Sequence, residues 1–174
     1  EWMGARDIYV YLPAEYCNNA YSDNLKKFPV LYMLDGQNVW DHKNLPWQGW
    51  KVESSMERLV QEGKIQSAII VGISNNRNRT KEYAGWCDEL PDGDVVTDSA
   101  EFKRYANEHR LMIVEEIIPF IEANFNVIQD RSGRVIAGSS YGAFCSAYFA
   151  ASNPEVFSGA GLFSGGSTGF EQII

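Results

Sequence analysis

The stretch Arg134-Val135-Ile136-Ala137-Gly138-Ser139-Ser140-Tyr141-Gly142-Ala143 decides the fold of this chain. It begins with β-forming residues and leads into a small, apolar segment that extends to Ser152, which predicts a strand, a sharp turn and a buried helix. Gly138, Ser140 and Gly142 match the pattern G-x-S-x-G. In that pattern the serine sits on a strained turn that directs its hydroxyl out above the sheet, and the glycines leave room for the turn. The stretch therefore predicts an α/β domain with Ser140 as its candidate nucleophile.

The same turn predicts where a developing negative charge would be stabilised. The backbone N–H of Tyr141 stands at the start of the helix, where the helix dipole favours an oxyanion. A second donor is expected from the loop after an earlier strand, and the backbone N–H of Gln37 is the candidate, with Asn38 as the alternative. The competing interpretations are a glycine-rich turn whose serine caps a helix and a plain surface turn at Asp35.

Apolar periodicity outside this stretch predicts the remaining elements. The predicted strands cover residues 7–12, 29–34, 68–73, 134–138 and 157–163, and the predicted helices cover 52–62, 101–124 and 140–152. Pro119 is expected to kink or split the second helix. Residues 16–27 and 74–96 are polar and are expected to be loops. Strands that alternate with helices predict an α/β fold with a mostly parallel central sheet and helices on both faces.

Composition excludes several classes of protein. The formal net charge is −8 and no basic stripe is present, so nucleic acid is not an expected partner. No apolar run approaches the length that spans a membrane. Three scattered cysteines predict neither a disulfide framework nor a zinc site, and no metal is expected. The chain has no signal-peptide pattern, which slightly favours a cytoplasmic location, and secretion stays open if a leader has been removed. We expect a single domain over residues 1–174.

Several of these segments together resemble a known family. They are residues 10–13 (VYLP), 29–38 (PVLYMLDGQN), 70–73 (IVGI), Arg79 with Glu82-Tyr83, and 136–142 (IAGSSYG). In this combination the chain resembles the Putative esterase family of α/β hydrolases, related to enterochelin (siderophore) esterases, esterase D and feruloyl or acetyl-xylan esterases. The resemblance implies an α/β-hydrolase fold and a Ser-His-Asp/Glu hydrolase that needs no cofactor. One small departure is Ala143, where many members carry a further glycine.

The rest of a catalytic triad is harder to place. In this fold the acid and then the histidine follow the serine, yet no histidine follows Ser140 and the only acids after it are Glu155 and Glu171. His42 follows the expected oxyanion loop, and His109 shares the apolar face of its predicted helix, where packing is the expected role. The domain is therefore predicted to be C-terminally incomplete, without its last strands and helix. A complementing C-terminal segment or a homo-oligomer would then complete it.

Five residues are candidates for contact with a substrate: Asn38, Trp40, Arg79, Tyr83 and Trp86. Aromatic residues in loops near a nucleophile often bind an acyl group, but tryptophan is also a common packing residue, and both interpretations stay open. Arg79 could orient a polar or anionic ester or form an ion pair within its loop. The segment 74–96 is expected to line the entrance to the site.

The sequence thus predicts a serine-dependent carboxylic ester hydrolase that forms an acyl-enzyme on Ser140 and acts on a small-molecule ester. One alternative is an acyltransferase on the same scaffold, in which an alcohol replaces water. Another is a catalytically incompetent fragment or binding module that lacks the triad acid and histidine. The sequence does not identify the ester.

Overall fold

The computed structural model describes residues 5–19, 26–41, 49–87 and 98–165, and in that part of the chain a central sheet carries helices on both faces. The strands are β1 (Ile8–Tyr11), β2 (Val30–Leu34), β3 (Ile69–Ile73), β4 (Arg134–Ser139) and β5 (Gly159–Phe163). The helices are α1 (Ala14–Asn19), α2 (Val52–Gln61), α3 (Arg79–Ala84), α4 (Ser99–Leu111), α5 (Ile118–Asn124) and α6 (Tyr141–Ser152), with a π-helical turn, Met112–Ile117, between α4 and α5.

The order of strands in the sheet determines which loops meet. The order is β1-β3-β2-β4-β5, and only the β1–β3 pair is antiparallel. The prediction of a mostly parallel sheet is therefore confirmed. Because β2 lies directly beside β4, the loop after β2 and the turn after β4 leave the sheet at neighbouring points of its carboxyl edge. Ligand sites of parallel α/β sheets form at this edge.

The core has two parts, one on each face of the sheet. Tyr32 and Leu34 of β2 belong to the larger cluster, which the π-helical turn, α5 and α6 cover, while Met33 faces the smaller cluster with Met56 of α2. Alternate residues of one strand are therefore buried on opposite faces, as expected for a strand inside a parallel sheet. The predictions of doubly buried strands and of helices on both faces are confirmed.

Two of the expected loops contain helices. Residues 16–27 were expected to be a loop, but α1 covers Ala14–Asn19; Tyr16 is anchored there by its N–H, which donates to the Pro13 carbonyl at 2.8 Å, and by its ring, 5.3 Å from that of Phe28. Residues 74–96 were also expected to be a loop, but α3 lies within them. Its buried Glu82 pairs with Arg6, which is 76 residues away in the chain. In both cases distant partners stabilise a helix that lacks an apolar repeat of its own.

The helix predicted for residues 101–124 is longer than expected and is divided. It begins at Ser99 because the Asp98 side chain accepts a hydrogen bond from the Glu101 N–H at 2.9 Å. The split expected at Pro119 occurs just before it, in the π-helical turn, where the Ile118 N–H donates to the Ile113 carbonyl. A proline has no N–H to donate and its ring crowds the preceding turn, so the wider turn accommodates it.

Candidate active site

Ser140 occupies a strained backbone conformation between β4 and α6. Its φ is 56° and its ψ is −124°, values that a non-glycine residue adopts only when the surrounding structure holds it there. The Ser140 N–H donates to the Phe163 carbonyl at 3.0 Å, and the Ser140 carbonyl accepts from the Ala143 N–H at 2.9 Å. The residue is exposed. The turn thus presents the Ser140 side chain at the carboxyl edge of the sheet.

Gly138 shows why the turn needs a glycine. A Cβ atom at this position would lie 2.4 Å from the backbone oxygen of Gly142 and 2.5 Å from its carbonyl carbon. Real Cβ atoms essentially never come so close to backbone atoms. The first turn of α6 can therefore fold back over the end of β4 only if residue 138 has no side chain, in agreement with the predicted G-x-S-x-G motif.

The loop after β2 forms a tight 3₁₀ turn over Gly36–Asn38. Asp35, which precedes the turn, has left-handed backbone angles (φ 57°, ψ 46°), and the Asn38 N–H donates to the Asp35 carbonyl at 2.8 Å. The Asn38 amide is therefore engaged inside the turn. Of the two amides considered as the second oxyanion donor, this bond favours Gln37 over Asn38.

Asp35 is the centre of a buried polar network beneath this edge. Its carboxylate is only 2% exposed and accepts two hydrogen bonds from Arg79, Nε to Oδ1 at 2.7 Å and Nη2 to Oδ2 at 2.8 Å. Oδ1 also accepts from Asn75 Nδ2 at 2.5 Å, and the Asp35 N–H donates to the Tyr83 hydroxyl at 3.1 Å. Paired charges with this fork-to-fork geometry form strong, directional bonds.

Arg79 links this network to the turn that bears Ser140. Its guanidinium carbon lies 4.9 Å from the centre of the Tyr83 ring and 5.8 Å from that of Tyr141. Burial lowers the pKa of the guanidinium, but the hydrogen bonds and the negative charge of Asp35 outweigh it and raise the pKa overall. Arg79 therefore carries a permanent positive charge beside the turn. The part of the segment 74–96 around Arg79 therefore lies at the same edge of the sheet as Ser140, and its role in lining the entrance stays a prediction.

The predicted substrate-binding residues have different surroundings. Tyr83 is fully buried under the network, so it supports the edge from below. Trp40 packs on the rings of Tyr9 and Tyr11, 6.3 and 6.5 Å away, on the β1–β3 side of the sheet. Trp86 stacks on Tyr148 of α6, with ring centres 5.3 Å apart. The structure therefore brings Arg79 and the turn of Asn38 to the edge near Ser140 and gives the two tryptophans packing contacts.

The sequence reasoning missed the roles of Asp35 and Asn75. Asp35 looked like a turn residue because Asp-Gly is a common turn pair. One signal in the sequence could have revealed them. Asp35 directly follows a buried strand, and the segment after another predicted strand contains Arg79. Buried carboxylates need a partner of opposite charge, and Arg79 was the candidate at the same edge.

The histidines and acids do not complete a triad among the described residues. His109 is fully buried between the rings of Tyr83 and Phe149, and burial, together with the nearby Arg6 charge, lowers its pKa to about 3. The packing role predicted for His109 agrees with this environment. Glu155 is exposed in the turn between α6 and β5, at the opposite end of the sheet from Ser140. His42 and Glu171 lie outside the described residues.

The described residues contain neither a metal-binding cluster nor a membrane-spanning helix. No three histidine, cysteine or acidic side chains in the described parts of the chain group together as a metal site would require. No helix among those residues has the length and apolar character needed to cross a membrane.

Comparisons with known proteins identify a family and similar structures for this chain. The family described as Putative esterase matches residues 3–168. The endo-1,4-beta-xylanase/feruloyl esterase of Xylanibacter ruminicola is 30% identical over 94% of this chain and 20% of its own length. The IroE-like serine hydrolase from Shewanella oneidensis superposes with a TM-score of 0.66 and 26% identity, over 89% of this chain and 44% of that one. The CE1 ferulic acid esterase of Anaeromyces mucronatus has a TM-score of 0.63 at 22% identity, over 92% and 53%.

The chain thus spans about half the length of these solved structures and a fifth of the xylanase/feruloyl esterase. The match to the family nevertheless covers almost every residue, including the loop of Gln37 and the turn of Ser140. The similar structures are esterases and serine hydrolases, and the strand–turn–helix around Ser140 has the form that the α/β-hydrolase fold requires. The chain belongs to the esterase family of α/β hydrolases.

Proposed function

We propose that the protein containing this chain is a serine-dependent carboxylic ester hydrolase in which Ser140 is the nucleophile. The observation that carries the proposal is the backbone of Ser140, which is held at a positive φ by the sheet and the helix on either side while the residue is exposed. Such strain persists where the surrounding structure imposes it, and it is concentrated at active sites. Membership of the esterase family supports the same conclusion.

The proposed reaction has two stages. The Ser140 hydroxyl oxygen attacks the ester carbonyl carbon while a base takes its proton, and the carbonyl oxygen becomes an oxyanion. The backbone N–H groups of Tyr141 and Gln37 stabilise that charge. The C–O bond to the alcohol then breaks, the alcohol leaves with the proton from the base, and an acyl-enzyme remains. Water, activated by the same base, releases the carboxylic acid and restores Ser140.

We infer that the base and its acid come from a C-terminal continuation of this domain. Among the described residues His109 is fully buried against the rings of Tyr83 and Phe149. The length of the similar structures supports a continuation, because this chain spans about half of them. Leu162 and Phe163 of β5 are exposed, and they would be covered by such a segment.

The test is covalent labelling of the full-length protein with an organophosphonate, followed by peptide mapping. We expect the label on Ser140, no label in Ser140→Ala, and hydrolysis of p-nitrophenyl acetate reduced by about 10⁴-fold or more in that variant. Ser139→Ala is the matched control, because Ser139 is the neighbouring serine but belongs to β4; it should keep both label and activity. Labelling that survives Ser140→Ala would refute the assignment.

The substrate is proposed only at the level of a small-molecule carboxylic ester. Two of the similar proteins carry feruloyl or ferulic acid esterase in their names, so methyl ferulate belongs in the substrate panel beside p-nitrophenyl acetate. Added acceptor alcohols distinguish hydrolysis from acyl transfer. A hydrolase yields mainly the free acid, whereas an acyltransferase yields mainly the new ester.

A further inference from the structure

We propose that Asp35 is a positioning residue, and that its ion pair with Arg79 sets the position of the oxyanion loop relative to the nucleophile. The inference rests on the proposed esterase function. It assigns no contact with substrate to Asp35. It states instead that a buried carboxylate, through Arg79 and the surrounding network, determines how well Gln37 and Tyr141 stabilise the oxyanion on an ester bound at Ser140.

Asp35 connects the segments that build the candidate site. Its carbonyl accepts from the Asn38 N–H and so closes the turn that contains Gln37. Its carboxylate binds Asn75 and Arg79, which both follow β3. In addition, Asn75 donates its backbone N–H to the Gln37 side-chain oxygen at 3.2 Å. A displacement of Asp35 would therefore move both ends of the Gln37 turn.

Asp35 also lies close to the start of α6. A Cβ atom at Gly142 would lie 3.3 Å from Oδ2 of Asp35. The carboxylate thus lies against the helix turn that begins directly after Ser140. The bond to Arg79 holds the carboxylate in this place, and the guanidinium in turn lies beside the ring of Tyr141, the residue that supplies the other oxyanion donor.

The charge of Asp35 also has to be neutralised at this edge. An unpaired carboxylate next to the first turn of α6 would raise the energy of an oxyanion that forms there, because like charges repel. Arg79, with 28% of its side chain exposed, neutralises Asp35 and lies 5.8 Å from the centre of the Tyr141 ring. The pair therefore does not oppose the oxyanion, whereas Asp35 without Arg79 would.

Asp35 is not itself a triad acid. Both of its oxygens accept hydrogen bonds from Arg79, one of them accepts from Asn75 as well, and the residue is 2% exposed. A histidine arriving from elsewhere would have to break the ion pair to reach it, at the cost of leaving the Arg79 charge unpaired.

The experiment compares Asp35→Asn, Arg79→Lys and Arg79→Met in the full-length protein, with kcat expressed per site titrated by the phosphonate. We expect kcat per site to fall about 10-fold in Arg79→Lys, which keeps the charge but loses the two-pronged geometry, and about 100-fold in the other two. KM should stay within about threefold, because no substrate contact is removed. The double variant Asp35→Asn/Arg79→Met should have a kcat per site no lower than that of the poorer single variant, because both residues act through the same ion pair.

Glu82→Gln is the matched control. It breaks the bidentate pair between Glu82 and Arg6, which is also buried but does not touch the turn of Ser140, so kcat per titrated site should not change. Since the titration counts only folded, competent sites, a role limited to stability would lower the number of sites and leave kcat per site constant.

The inference is overturned if Asp35→Asn and Arg79→Lys keep the wild-type kcat per site, or if Arg79 variants raise KM and leave kcat unchanged. Should Asp35→Asn fail to fold, Arg79→Lys decides the matter by the same criteria. Failure of the proposed function gives a different result, because the wild-type protein would then not be labelled at Ser140 at all.

Discussion

Two buried ion pairs among the described residues have the same chemistry but different surroundings. Asp35–Arg79 and Glu82–Arg6 are each formed by two hydrogen bonds between a guanidinium and a carboxylate. In the first pair the arginine is 28% exposed and faces the edge where Ser140 stands, whereas in the second both partners are sealed, at 0% and 4%. The difference shows that a buried ion pair has no fixed role: the first lies where it can affect chemistry, the second only where it can affect stability.

The largest expected effect comes from breaking the sealed pair. Glu82→Gln removes the charged acceptor of two buried hydrogen bonds from Arg6, so we expect the free energy of unfolding to fall by about 3–5 kcal/mol. Denaturant titration measures this. Glu15→Gln is the control, since Glu15 and Lys26 form a pair in which both side chains are nearly half exposed, and pairs of that kind contribute little. Equal losses of unfolding free energy in the two variants would show that burial does not determine how much each pair contributes to stability.

An intermediate effect on stability is expected when the pH is lowered, because the buried His109 lies near Arg6 of the sealed pair. Its pKa is about 3 in the folded protein and near 6.5 when unfolded, because burial and the Arg6 charge disfavour the imidazolium. Between these values only the unfolded chain binds the proton, so stability contributed by neutral His109 is complete above pH 6.5 and is lost as the pH falls. At pH 5 the loss should approach about 2 kcal/mol.

His109→Phe tests this prediction, because phenylalanine keeps a ring against Tyr83 but does not titrate. Denaturant titrations at pH 7 and pH 5 should show a smaller loss of stability on acidification in the variant than in the wild type. Burial raises the pKa of the neighbouring Tyr83 hydroxyl well above its usual value, so Tyr83 stays protonated across this range. An identical pH dependence in both proteins would contradict the prediction.

The smallest effect is expected from Gly142→Ala, which crowds the carboxylate of the Asp35–Arg79 pair. The added methyl group would meet Oδ2 of Asp35 at 3.3 Å and shift the carboxylate by a few tenths of an ångström. Alanine also favours the helix by about 1 kcal/mol, which offsets the crowding, so stability should hardly change. If Asp35 positions the site, kcat per titrated site should still fall a few-fold.

Gly159→Ala is the control for this variant, because a Cβ atom there meets no other atom within 4 Å. It should leave kcat unchanged. If Gly142→Ala also keeps the wild-type kcat while the carboxylate moves, the link between Asp35 and the site is broken.

Much of the fold was readable from local sequence because burial on two faces imposes its own pattern. The continuous apolar runs of β2 and β3 predicted strands inside a parallel sheet, and the structure confirms both. The failures are α1 and α3, short helices with no apolar repeat. Their stability comes from partners such as Phe28 and Arg6, whose proximity no local window contains.

For the site, the sequence by itself predicted the turn of Ser140, because the pattern G-x-S-x-G lies between a β-forming segment and a small, apolar helical one, and it located the loop of Gln37 after β2. Only the tertiary structure decided what lies beneath. Asp35 and Arg79 are 44 residues apart and meet because β2 and β3 are neighbours with parallel ends. The same tertiary packing buries Tyr83 and places Trp40 and Trp86 against other aromatic rings. Residue type predicts what a side chain can do, but the partners and the solvent that decide its role depend on chain segments distant in sequence.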